Sequence, residues 1–225
     1  MICIISATEE EICDFLRELE PQIIEEKPFK IFKKNSILLS ICGIGISSAS
    51  TCLSYVIIKY KFDVIINIGV AGAVNKNAEI FDSILVKNSY FSTVDVTDFG
   101  YKYGQLPAKP QKYDTSKKYN KKINSLINFK IVNCASSDIF INCLEQYNQF
   151  ISKLNTTISI VDMELAAIMH TAFIFQKDVI AVKVISDSIF LENNKKQYLK
   201  TLKKCNLIIA KNLFLILEKL NYHTK

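Results

Sequence analysis

The sequence predicts an α/β fold in a single domain, 1–225, and three observations predict it. Short apolar runs of strand length alternate with segments of helical period. No Pro-, Gly- or Ser-rich linker and no shift in composition divides the 225 residues. There are only six glycines, where average usage of about 7% would give roughly sixteen. They fall in three clusters, "CGIG" (Gly43, Gly45), "NIGVAG" (Gly69, Gly72) and "FGYKYG" (Gly100, Gly104), the first two directly after predicted strands. That puts those two at carboxyl ends of the sheet, where α/β folds bind ligands.

The apolar run at the amino terminus predicts a strand over 2–6, and further apolar runs predict strands over 29–33, 37–42, 63–68, 83–91, 129–135, 157–161 and 178–186. Helical spacing predicts helices over 9–20, 46–60, 115–127, 144–154, 163–175 and 195–220. In the first helix Ile12, Phe15, Leu16 and Leu19 share a face. In the last, Leu199, Leu202, Asn206, Ile209, Leu213, Leu217 and Leu220 follow three-and-four spacing with one polar interruption. The first helix follows "ISATEEEI", where Thr8 and Glu11 have capping-box spacing and three glutamates suit the positive end of a helix dipole.

Composition excludes several classes. Apolar residues make up 49% and charged residues 22%, as in a folded protein with a full core. The longest helix-like apolar stretch, Leu207 to Leu217, is interrupted by Lys211 and Asn212 and is too short to span a bilayer, so no membrane partner is expected. The first run lacks a basic segment before it and a small-residue cleavage site after it, so no secretory signal is expected. Seven cysteines (Cys3, Cys13, Cys42, Cys52, Cys134, Cys143, Cys205) are dispersed with no Cys-x-x-Cys pair. They read as buried thiols of a cytoplasmic protein, and with His170 and His223 the only histidines no metal site is expected. The net charge of +6 comes from 28 basic residues, of which only Arg17 is arginine. The densest basic stretch, "KPQKYDTSKKYNKK" at 109–122, has no helical stripe and reads as a solvated loop, so nucleic acid is not expected as a partner.

Three acids sit at or just beyond strand ends: Glu11, Glu164 in "VDMEL" and Asp187 in "VISDS". Each also has a plain structural use, Glu11 in its capping box, Asp187 capping a loop or helix, and Glu164 in the first turn of the helix that follows. A sheet would nevertheless bring all three to one edge.

Together with the glycine clusters these residues resemble the 5'-methylthioadenosine/S-adenosylhomocysteine nucleosidases of the nucleoside phosphorylase superfamily. The resemblance runs through "ISATEEEI", "CGIG", "DVIINIGVAGA", "DVTDFGYKYGQLP", "DIFIN", "VDMELAAI" and "VISDS". It implies a phosphorylase/hydrolase-like three-layer α/β/α sandwich around a central mixed twisted sheet. It also implies hydrolysis of the N-glycosidic bond of 5'-methylthioadenosine, S-adenosylhomocysteine and 5'-deoxyadenosine, with a place in methionine salvage and in recycling S-adenosylmethionine by-products. No cofactor or metal is implied.

The chemistry asks for an acid to help adenine leave and a base to activate water against an oxocarbenium-like sugar, as in inverting glycosidases. By resemblance Asp187 is the acid, protonating adenine N7 with Ser186 orienting it, and Glu11 is the base. Glu164 corresponds to the residue that binds the ribose hydroxyls and Met163 to the one packed on the sugar. Phe140 would stack on adenine while the backbone of Ile141 bonds its edge, and the backbone of Ala71 and Gly72 would line the sugar side. Val96, Phe99 and Pro107 match a loop that covers the 5'-substituent of a neighbouring subunit, which implies a homodimer with shared sites.

The chain also departs from the pattern. Val70 replaces a serine, Thr8 a methionine, and Lys183 an arginine that supports the catalytic glutamate and water; lysine keeps the charge and loses the planar fork. Phe190 and Tyr198 are the candidates for the aromatic that closes the pocket.

Three other readings compete. A phosphorolytic nucleoside phosphorylase holds phosphate with arginines, whereas here the first loop is "ATEEE" and Arg17 lies on a helix away from its tip. A dinucleotide site on Gly43-Ile44-Gly45 lacks the third small residue, its place being taken by Ser48. A non-catalytic nucleoside-binding protein would have no need of both Glu11 and Asp187.

Overall fold

The computed structural model describes residues 1–124, 129–191 and 194–222. The end of the helix predicted over 115–127 and His223 lie outside them.

The first strand, β1 (Ile2–Ser6), is buried along its whole length, as expected of a strand covered on both faces. A 3-10 turn (Glu10–Ile12) and helix α1 (Cys13–Leu19) follow in place of one helix over 9–20. The Thr8 hydroxyl does accept the Glu11 N–H at 3.3 Å. The return half of the capping box is absent because the Glu11 carboxylate bonds Ser6 and Val70 instead. Strands β2 (Gln22–Glu25), β3 (Lys30–Lys34) and β4 (Ile37–Ile41) then lead into helix α2 (Ile46–Lys59). β2 is an exposed edge with no buried face, so it carries no periodic signal.

The next strands are β5 (Val64–Ala73) and β6 (Ser83–Phe91). β5 was expected to end at 68, but it continues through "GVAGA". Gly69 and Gly72 are therefore strand residues and not a turn after it, held by the parallel neighbour β10 through residue 73. The basic stretch 109–122 is likewise not simply a solvated loop. It contains β7 (Lys112–Asp114), which pairs with β6, and most of helix α3 (Lys117–Asn124). The anchor is Tyr113, buried against Phe91 and with its hydroxyl 2.7 Å from His170 Nδ1.

Strand β8 (Lys130–Ser136) precedes a short helix α4 (Leu144–Gln146), which continues as a π turn (Tyr147–Ile151) and a 3-10 turn (Ser152–Leu154) over the span predicted as one helix. Strand β9 (Ile160–Asp162), helix α5 (Leu165–Ile174), strand β10 (Asp178–Ser188) and helix α6 (Asn194–Lys219) complete the chain. The expected apolar stripe of α6 is buried at Asn206, Ile209, Leu213 and Leu217, while Leu199 is exposed.

The strands form a ten-stranded mixed sheet ordered β10-β6-β8-β9-β5-β1-β4-β3-β2, with β7 beside β6. β10 pairs with both β5 and β6, so half of the sheet closes on itself. Alternate residues of β1, β5 and β10 feed two separate cores. Cys3, Ile5, Ile65, Ala181 and Ile185 pack under α2 and α5; Ile4, Ile66, Ile68, Val182 and Val184 pack under α1 and α6. The result is the helix, sheet, helix layering expected from the sequence. Five cysteines are buried, whereas Cys13 and Cys143 are partly exposed, and all seven are free thiols. Among the described residues no helix is long and apolar enough to cross a membrane, and no His, Cys, Asp and Glu cluster could hold a metal ion.

Candidate active site

The carboxyl ends of β1, β5, β9 and β10 open on a cavity of about 230 Å³. Nine of the residues singled out in the sequence line it: Glu11, Ala71, Gly72, Phe140, Ile141, Met163, Glu164, Ser186 and Asp187.

Glu11 reaches the cavity from the turn after β1. It is 7% exposed; Oε2 accepts from the Ser6 hydroxyl at 3.0 Å and Oε1 from the Val70 N–H at 3.3 Å. A Cβ on Gly69 would lie 3.1 Å from Oε2, so the glycine provides the space the carboxylate occupies. Burial raises the pKa of Glu11 above the usual carboxylate value. Lys183, the Val70 N–H, the Ser6 hydroxyl and Thr8 act the other way without cancelling the rise.

Asp187 was expected just beyond a strand ending at 186, and instead lies within β10. The pairing with β5 runs Ile185 to Ala71 and then Asp187 to Gly72, so Ser186 is the extra residue of a bulge. A bulge shifts the alternation of side chains and re-aims the residue that follows. Here it aims Asp187 over Gly72, and the Ser186 hydroxyl donates to Asp187 Oδ1 at 2.7 Å.

Glu164 precedes α5 and accepts the Gly45 N–H on Oε1 at 2.9 Å. Burial, and after it the Asp162 carboxylate, raise its pKa; Lys183 and the Gly45 N–H oppose the rise. "CGIG" thus serves the site through a backbone N–H and not as a dinucleotide loop.

Lys183 is 2% exposed and does not line the cavity. Its Nζ lies 2.8 Å from Asp162 Oδ2. Burial alone would lower its pKa, yet Asp162, Glu164 and Glu11 together hold it above the usual lysine value. Asp162, which sequence reasoning did not single out, lines the cavity. The available signal was its place two residues before Glu164 in "VDMEL", but its partners are remote: the Ser136 hydroxyl at 2.5 Å and Lys183.

Thr8, Val70 and Tyr198 also line the cavity, together with Ala7, Ile44, Ile139 and Val161, which the sequence did not reveal. Tyr198 is therefore the pocket aromatic contributed by the chain's last helix, while Phe190 lies against Lys76 and outside the cavity lining. Val96, Phe99 and Pro107 are not brought to this cavity either; they sit on the segment between β6 and β7, where Phe99 is 81% exposed. Arg17 pairs with Asp14 on α1 and takes no part in the cavity.

Two carboxylates seated against glycines of one strand, a third beside a backbone N–H, and an aromatic edge can bind a polyhydroxylated ring with a flat base and transfer protons at both ends of the bond between them. The negative lining disfavours a phosphate nucleophile.

The chain matches the family described as the phosphorylase superfamily over residues 1–220. A 5'-methylthioadenosine/S-adenosylhomocysteine nucleosidase of Staphylococcus aureus (strain JH9) is 32% identical over 197 residues, covering 83% of this chain and 86% of that protein. A crystal structure from Borrelia burgdorferi B31, named for the same activity and bound to adenine, is 31% identical, covers 98% of this chain and 100% of its own, and superposes with a TM-score of 0.87. An S-adenosylhomocysteine nucleosidase from Streptococcus pyogenes in complex with 5-methylthiotubericidin is 26% identical over 97% of this chain and 96% of its own, with a TM-score of 0.88.

Proposed function

The chain belongs to the phosphorylase superfamily, among its 5'-methylthioadenosine/S-adenosylhomocysteine nucleosidases, and from that membership we propose how its own residues divide the reaction. It is an N-ribosyl purine nucleosidase that hydrolyses 5'-methylthioadenosine and S-adenosylhomocysteine.

Asp187 delivers a proton to adenine N7, so that the base departs as a neutral leaving group. Glu11 takes a proton from water as the water attacks C1' from the opposite face. A base works best when its pKa approaches the working pH, and the upward displacement of Glu11 favours this use. Glu164 accepts hydrogen bonds from the ribose hydroxyls with Met163 packed on the sugar, and Phe140 stacks on adenine, whose edge bonds the Ile141 backbone. Ser186 orients Asp187. The observation that carries this assignment is that Glu11 and Asp187 lie against Gly69 and Gly72 of the same strand, at one cavity.

Water and not phosphate is the nucleophile in this reading. Its support is a cavity lined by Glu11, Asp162, Glu164 and Asp187, with Arg17 elsewhere. 5'-Deoxyadenosine is a further substrate, since the base and ribose contacts do not involve the 5'-group. The exposed Phe99, with Val96 and Pro107, covers the 5'-substituent in the other subunit of a homodimer. One continuous sheet and a family match over 1–220 support reading 1–225 as a single nucleosidase domain, and seven free thiols support a cytoplasmic setting.

The test is adenine release from the three nucleosides with and without inorganic phosphate. Release from all three at rates indifferent to phosphate is expected. A phosphate-dependent rate would return the phosphorolytic reading.

A further inference from the structure

Lys183 is the only buried lysine or arginine among the described residues, and it stands among several carboxylates. Its ion pair goes to Asp162 at 2.8 Å, whereas Glu11 is bonded by Ser6 and Val70. Gly69, the glycine under Glu11, is the cross-strand partner of Lys183, and the lysine charge acts on Glu11 from that place. Asp162 is itself fixed from two sides: the Ser136 hydroxyl of β8 donates to Oδ1, and the Leu165 N–H at the start of α5 donates to Oδ2 at 3.1 Å.

We propose that Asp162 is a positioning residue that holds Lys183 off the Glu11 carboxylate, so that Glu11 is ionised by a nearby positive charge yet keeps its proton affinity. The proposal rests on the reading of Glu11 as the base. A direct ion pair would make Glu11 a weak base, because a proton arriving there would have to displace the ammonium. With no cation at all, burial would hold Glu11 protonated. The observed arrangement lies between these limits.

The groups around Glu11 come from every neighbouring element. β10 supplies Lys183 and, across the cavity, Asp187; β9 and the start of α5 supply Asp162 and Glu164. Cys42 follows β4, and α6 contributes Tyr198 and Cys205, all three held neutral by burial. Lys183 is the one cation in this set.

The test is the pH profile of kcat/KM for 5'-methylthioadenosine in Asp162→Asn, Lys183→Met and the double variant. Asp162→Asn releases Lys183 to Glu11, and its acidic limb moves to lower pH by roughly one unit or more, with a lower plateau. Lys183→Met moves the limb to higher pH by a similar amount. Opposite displacements are a signature that mere loss of packing would not produce. Where a single variant fails to fold because one buried charge is left alone, the double variant removes both charges, and its limb is expected above that of the wild type. Limbs that stay in place or move the same way in the single variants, or a double variant at or below the wild-type position, would overturn the proposal. Glu11→Gln separates the two ideas. If it kept the wild-type rate, the reading of Glu11 as base would fail; if it were inactive while the limbs moved as a pair, only the role of Asp162 would fail.

Discussion

A Cβ built on Gly72 would lie 2.9 Å from Asp187 Oδ2, closer than a Cβ atom approaches its neighbours in folded proteins. The strand that forms the floor of the cavity is therefore glycine at this point because the carboxylate above it needs the volume. Gly72→Ala is expected to displace Asp187 by a few tenths of an ångström or more and to cost about 1–3 kcal/mol in stability through overpacking. The rate should fall by up to roughly a hundredfold, the cost of a misplaced catalytic group. Steady-state kinetics with thermal denaturation checks both. A normal rate in a folded variant would show that the position of Asp187 is not critical.

Glu11→Gln keeps the Thr8 contact to its backbone N–H and keeps a side chain able to bond the Ser6 hydroxyl. It cannot take a proton from water, so turnover is expected to fall about a hundredfold or more with the fold retained. Adenine release measured beside circular dichroism decides this, and wild-type turnover would remove Glu11 from the role of base.

The same substitution changes how stability responds to pH. The folded protein holds the Glu11 proton more tightly than the unfolded chain does, so it binds more protons between the two pKa values. Stability from this group is thus fully present below the unfolded value and is lost as pH rises through the folded one. Glu11→Gln should flatten that decline. Denaturant titrations at several pH values above 4.5, the ordinary value for the group, would read the difference between the two curves.

Asp187→Asn preserves an oxygen for the Ser186 hydroxyl and removes the acid. The rate should drop roughly a hundredfold or more for 5'-methylthioadenosine, and much less for an analogue whose leaving group departs without protonation. An equal loss on both substrates would point to misfolding of the site and away from proton transfer.

Phe99→Ala removes an 81% exposed ring that touches nothing in its own cavity. In a shared-site dimer, KM for 5'-methylthioadenosine should rise severalfold with little change in melting temperature. Unchanged KM in a protein that sediments as a dimer would remove Phe99 from the pocket.

The parts of the fold legible in the sequence are those whose burial is periodic. β1, β4, β6 and α2 fall within a residue or two of their expected bounds, because each presents an unbroken apolar face to a core. Extensions into function were harder to read. β5 runs on through Gly69 and Gly72, and β10 through Asp187 and Ser188, although glycine, serine and aspartate all weaken a strand signal. There the sheet is continued by pairing between the two strands, which no local pattern encodes.

The lining of the cavity was legible where a motif carries it, as at Glu11, Glu164 and Asp187. Asp162 was hidden because its partner Lys183 is twenty-one residues away on another strand, and an acid beside Met163 and Glu164 has no spacing of its own to mark a buried ion pair. Val96, Phe99 and Pro107 are matched by motif but do not line this chain's cavity.

Product analysis after complete conversion of 5'-methylthioadenosine in phosphate-containing buffer tests the central claim most directly. Free adenine with free 5-methylthioribose, and a fall in turnover of about a hundredfold or more in both Glu11→Gln and Asp187→Asn, is the expected result. A phosphorylated sugar product, or normal turnover in either variant, would contradict it.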